Sequence, residues 1–118
     1  MELSAEEWRR KGATLSDKTA RSEYGLTQDE IFAAIDAAKL QYRPAAMHGN
    51  PWLRLLRREV EDLVRARHGD RYLRERKART ELAQINRDLK QLRAQLAALE
   101  ERRAVILAEL AGQGDHQA

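Results

Sequence analysis

The feature that most constrains this chain is a seven-residue apolar repeat in its last third. With Leu82 placed at heptad position a, the a positions are Leu82, Leu89, Leu96, Arg103 and Leu110, and the d positions are Ala78, Ile85, Leu92, Leu99 and Ile106. Nine of these ten are apolar, and Arg, Lys, Glu, Gln and Asn fill most of the positions between them. A helix this long with one narrow apolar seam would leave the seam in water, so the pattern predicts a coiled coil over residues 70–111. Dimerisation is expected through Leu82, Ile85, Leu89, Leu92, Leu96, Leu99, Ile106 and Leu110. Residues 112–118 are expected to form a disordered tail.

The one polar seam residue bears on strand direction. A parallel in-register dimer would set Arg103 against its own copy across the a layer, bringing two guanidinium groups together. An antiparallel pairing centred between Leu89 and Leu92 sets Leu82 against Leu99 and Arg103 against the small Ala78. It also brings Glu81 near Arg102 and Arg79 near Glu100 of the second copy. The expectation is an antiparallel homodimer, with its two N-terminal heads at opposite ends of a rod.

Charge is distributed unevenly ahead of this repeat. Residues 1–36 hold five basic and eight acidic side chains, whereas residues 37–58 hold Lys39, Arg43, Arg54, Arg57 and Arg58 with no acid. A basic block joined to a charge-balanced repeat points to a polyanion contact coupled to an oligomerising element. The chain has 118 residues and no cysteine, which leaves room for one ordinary domain and excludes disulfides, thiolate zinc sites and a thiol nucleophile. His48, His68 and His116 show no metal-ligand spacing, and no phosphate-cradling glycine loop, nucleophile elbow or HExxH motif occurs. Glu59, Glu61 and Asp62 read as acids of a helix's first turn, favourable to its dipole. Neither enzymatic activity nor a cofactor, metal or small-molecule substrate is expected. Apolar runs stop at four or five residues, and the N-terminus is acidic, so the chain reads as soluble and cytoplasmic, without membrane contact.

The local signals ahead of the repeat are mostly helix caps. Ser4 with Glu7 forms a capping-box pattern, and Leu3 with Trp8 a hydrophobic staple, predicting a capped helix near 5–10 within an N-terminal segment 1–13. Ser16 caps a second helix that stops at Gly25. Thr27 with Glu30 caps a third, whose face is Ile31, Ala34, Ile35 and Ala38. From Leu40 the period shortens to two. Leu40–Arg43 and Trp52–Leu55 are predicted as two short strands, with the turn-rich stretch Pro44–Pro51 between them. A helix over 57–67, with Val60, Leu63 and Val64 on one face, ends near Gly69.

Helix, turn, helix, hairpin, basic helix and coiled coil is an order that resembles the winged helix-turn-helix of the MerR and excisionase class. Residues Leu15 to Thr27 look like its first helix and turn, and Lys39 to Arg43 the start of its wing. The stretch is also similar to the DNA-binding region of the XPA excision-repair family, in Ser16-Asp17-Lys18-Thr19-Ala20, in Asn50-Pro51 and in Trp52 to Arg58, although that family's cysteine zinc finger is absent. The resemblance implies a mostly α fold: a small winged helix-turn-helix domain over 14–69 with a two-stranded hairpin, followed by the long coiled-coil helix. The second helix opens with Gln28-Asp29-Glu30, carboxylates that phosphates repel. Contact is therefore expected through the wing and the helix after it.

The expected function is non-enzymatic DNA binding by a dimeric transcriptional regulator, nucleoid-associated protein or repair-like accessory factor. Duplex is favoured and single strands remain open. Lys39, Arg43, His48, Arg54, Arg57, Arg58 and Arg65 are the candidate nucleic-acid contacts, acting on the sugar–phosphate backbone. Trp52 and Tyr42 could stack on unpaired bases, but are read first as anchors of a small core under the hairpin. The alternative is a protein–protein adaptor that docks through the helix-turn-helix domain and coiled coil without nucleic acid.

Overall fold

The computed structural model describes the backbone of residues 2–116 and the side chains of residues 5–113. The chain is mostly helical, with a small antiparallel sheet and a long C-terminal helix. Its elements are α1 (Glu2–Glu7), β1 (Thr14–Ser16), α2 (Asp17–Tyr24), α3 (Gln28–Asp36), β2 (Tyr42–Met47), β3 (Asn50–Leu56) and α4 (Arg57–His116). Two compact units result, Met1–Thr80 and Glu81–Ala118.

Side-chain caps bound the short helices. Ser16 Oγ accepts from the Thr19 amide at 3.0 Å, and Gly25 ends α2 in the left-handed region at φ 74°. Thr27 and Glu30 complete a reciprocal capping box at the start of α3. That helix stops without a glycine: Ala38, at φ 58°, donates to Ile35 O, and Lys39 donates to Ala34 O, a Schellman ending that usually recruits glycine. Ala38 therefore lies beyond the helix and is exposed, rather than continuing the face of Ile31 and Ala34. Backbone geometry places Ser4 inside α1; the side chains of its expected capping box and staple, Ser4 and Leu3, lie outside the described residues.

The sheet has three strands in the order β1-β3-β2, where the sequence suggested two. Three residues are too few to show a period, so β1 was hidden in the run before the Ser16 cap. The hairpin is also longer than expected. Only His48 and Gly49 turn, with φ of 52° and 82°, the double left-handed conformation of a type I′ hairpin. A two-residue turn makes Met47 and Asn50 a hydrogen-bonded pair, and alternation then leaves Pro44 opposite Leu53, and Ala46 opposite Pro51, at non-hydrogen-bonded sites. A proline there removes no ladder bond, so Pro44 and Pro51 sit inside strands. Leu53, whose amide points away from β2, donates it to Asp17 Oδ1 at 3.2 Å.

The core of the first unit lies between one face of the sheet and the helices. It contains Leu15, Tyr24, Leu26, Ile31, Leu40, Leu55, Val60, Leu63, Val64 and Leu73. Helix α4 breaks at Gly69 (φ 89°, ψ 167°), where the sequence placed a helix end. Past the break, Leu73 is in the core and Tyr72 packs on it, so the first turns that the repeat would assign to a coiled coil belong to the head. Arg76 lies over the carboxyl end of α2, donating to Glu23 O at 2.9 Å and Ser22 O at 2.8 Å, where a cation meets the helix's unpaired carbonyls.

In the second unit the helix is continuous from Glu81 and runs through Gly112 to His116, in place of the expected tail; Gln117 and Ala118 lie outside the described residues. Ala, Leu, Gln, Glu, Lys and Arg dominate it, the residues that lose least on becoming helical. Leu82, Ile85, Leu89, Leu92, Leu96, Leu99, Ile106 and Leu110 are all exposed in the single chain, Leu99 at 69%.

Candidate functional site

The face of the sheet opposite the core gathers the basic residues of the hairpin. Strand alternation places Arg43 and Arg54 directly across from each other. Both guanidinium groups lie over Trp8, at 4.5 Å and 5.7 Å from the ring centroid. Trp8 is only 3% exposed. Arg54 also donates to Trp8 O at 2.5 Å and to Thr14 Oγ1 at 3.2 Å. Like charges on facing strand positions repel, whereas an indole face attracts a guanidinium, so Trp8 offsets part of the repulsion. The sequence offered Trp8 only as a staple for α1; its partners lie more than 30 residues further along the chain.

Three other candidate arginines are engaged by acids. Arg57 donates to Glu23 Oε2 at 2.9 Å, to the Tyr24 hydroxyl at 2.8 Å and to Gly12 O at 3.1 Å. Tyr24 donates in turn to Glu61 at 2.6 Å. Burial, and then the Glu61 carboxylate beside it, push the Tyr24 phenol well above its usual range. Arg58 grips Glu7 with two parallel bonds of 2.9 and 3.0 Å, the bidentate geometry that makes such pairs strong. Those bonds, with the Arg58 charge behind them, hold the Glu7 carboxyl below its ordinary range despite burial. Arg65 pairs with Asp62 at 2.9 Å and Asp70 at 2.7 Å.

Among the described residues, no carboxylate lies within ion-pair distance of Lys39, Arg43, His48 or Arg54. Lys39 is exposed and borders a depression shared with Glu59, Asp62 and Arg67. His48 is exposed at the hairpin turn. Beside it Met47, Pro51 and Trp52 line a shallow, mostly apolar depression of about 430 Å³, flanked by Lys18 and Ser16. Trp52 and Tyr42 thus do not anchor the core as expected: Tyr42 is 50% exposed, and half-buried Trp52 lies outside the core cluster. Lys18, on the first turn of α2, is the cation at this depression that the charge-run reading passed over.

The acids at the start of α3 differ in orientation. Glu30 closes the Thr27 cap and pairs with Arg67 at 2.9 Å. The Thr27 amide, against a burial effect of opposite sign, holds its carboxyl below the usual range. Asp29 is exposed.

Among the described residues, no group of three or more His, Cys, Asp or Glu is placed to hold a metal ion, and no helix is long and apolar enough to cross a membrane. Comparison with known protein families, characterised proteins and solved structures finds no match to the chain.

Proposed function

We propose that this protein binds nucleic acid without acting as an enzyme, through a winged helix-turn-helix head that holds duplex DNA by its phosphates. The observation that carries this reading is the placement of Arg43, Arg54 and His48 on one hairpin that holds no carboxylate, whereas the neighbouring candidates Arg57, Arg58 and Arg65 each meet an acid. The three-residue turn Gly25-Leu26-Thr27 between α2 and α3 fits a helix-turn-helix, and β2–β3 supplies the wing. Exposed Asp29 at the start of α3 disfavours deep base reading by that helix, so contact is mainly to the sequence-independent backbone. In the second unit the exposed seam pairs with a second copy in an antiparallel coiled coil, doubling the number of heads per molecule.

Electrophoretic shifts with generic duplex DNA, single-stranded DNA and RNA, each at two salt concentrations, test this. The expected result is strongest binding to duplex, weakening steeply with salt. Absence of salt-dependent binding to all three would reject it. One feature favours a second reading, that of a protein-docking adaptor: the apolar depression at Met47, Pro51 and Trp52 beside the wing turn. In that case alanine at Met47 would abolish partner capture and leave the nucleic-acid assays blank.

A further inference from the structure

We infer that Arg43 and Arg54, arranged by Trp8, form a single seat for one phosphate group, and that the N-terminal segment thereby belongs to the ligand site. What marks this pair is that two like charges occupy facing strand positions over one ring, with no acid between them. Arg57, Arg58, Arg65 and Arg67 each meet a carboxylate, whereas Arg43 and Arg54 face each other across the strands with only neutral partners. The backbone carbonyl of Trp8, the Thr14 hydroxyl and one indole ring hold two positive charges. The ring lowers their repulsion without neutralising them, so the pair remains a doubly positive site. A guanidinium presents its donors in a rigid fork that matches phosphate oxygens, and two forks side by side can embrace one such group.

Trp8 is a positioning residue in this seat. Arg54 is fixed by its bonds to Trp8 O and Thr14, but Arg43 has no hydrogen bond of its own among the described side chains and is restrained by the indole face alone. Removing that face would release Arg43 to solvent and leave a single guanidinium. This rests on the nucleic-acid reading in taking the phosphate to be a backbone diester. The same chemistry would accept inorganic phosphate or a phosphorylated small molecule, and the test separates these sources.

In the full-length chain, Arg43→Gln, Trp8→Leu, Trp8→Phe and the double variant Arg43→Gln/Trp8→Leu are compared for binding to a generic duplex over a salt series. Thermal unfolding identifies variants that keep the fold. Loss of one phosphate contact lowers the salt slope by about 0.9, or about eightfold in affinity at ~0.1 M salt. That change is expected for Arg43→Gln and again for Trp8→Leu. The double variant should be no weaker than either, and Trp8→Phe, which keeps an aromatic face, should largely restore binding. In parallel, inorganic phosphate is titrated while the Trp8 indole N–H resonance is followed, and a shift lost in Arg43→Gln is expected. Duplex binding whose salt slope ignores both Arg43→Gln and Trp8→Leu would overturn the seat and leave the nucleic-acid reading standing. No duplex binding, with the phosphate-induced shift intact, would support the seat and reassign its ligand to a free phosphate compound. Absence of both would overturn both.

Discussion

Replacing Gly25 by alanine should destabilise the head by about 1–2.5 kcal/mol, through two separable effects. The first is backbone strain: at φ 74° an L-residue pays about 1–2 kcal/mol, reduced by roughly 0.4–1 kcal/mol because alanine also restricts the unfolded chain. The second is contact. A Cβ built on Gly25 would stand 2.7 Å from the Tyr72 hydroxyl and 3.4 Å from the Arg76 guanidinium carbon. Tyr72 must then withdraw from Tyr24 O, to which it donates at 3.2 Å, at a cost of about 1 kcal/mol, and Arg76 must loosen its grip on the end of α2. Urea unfolding at fixed protein concentration, followed by tryptophan fluorescence, measures the sum; both tryptophans lie in the head. Tyr72→Phe removes the obstructing oxygen, so Gly25→Ala in that background should cost about 1 kcal/mol less than in the parent. Equal costs in the two backgrounds would show that Tyr72 does not contact residue 25. A cost below about 0.5 kcal/mol in the parent would refute the left-handed cap itself.

Ala38→Gly should stabilise the head by about 0.5–1 kcal/mol, since Ala38 holds a positive φ that glycine adopts without strain; a lower urea midpoint would contradict this. Glu7 titrates below its usual value of 4.5 in the folded head, so its pairing with Arg58 contributes fully above that pH and is lost as pH falls through the depressed value. The stability gap between parent and Glu7→Gln should therefore be widest near neutrality and narrow in acid, and a pH-independent gap would reject the pairing. Asp29→Ala should leave duplex affinity unchanged or raise it, whereas a tenfold loss in a shift assay would place α3 against the ligand. Sedimentation at micromolar concentration should give a dimer, and cysteine at Leu92 should cross-link to a chain carrying cysteine at Leu89 better than to itself; the reverse preference would mean parallel strands.

What could be anticipated from sequence was local in origin. Ser16, Gly25 and the Thr27–Glu30 box act within one turn of helix, and Gly69 interrupts a helix by its own conformation, so each is legible in a few neighbouring residues. In the sequence Arg57 and Arg58 stand in an acid-free block, because their acids, Glu23 and Glu7, lie 34 and 51 residues away, and only the folded chain brings them together. The same distance hid Trp8. Which aromatic is buried depends on cross-strand register: Trp52 pairs with Ala45, the third pair from the turn, while Trp8 arrives from outside the hairpin to cover Arg43 and Arg54. Pro44 and Pro51 suggested a long turn because proline in general breaks ladders, and the alternation that accommodates them follows from the two-residue length of the true turn.

The two prolines also govern how the hairpin meets other molecules. Beyond the short reach of β1, β3 would direct outward only the amides of residues 51 and 53; proline lacks one, and Asp17 takes the other. On the outer side of β2, Pro44 interrupts the regular spacing of donors that a visiting strand would need. Neither flank offers the unbroken row of donors that strand addition uses. The hairpin can therefore hold an apolar tip in water without recruiting a neighbour's backbone, and whatever engages it must do so through side chains.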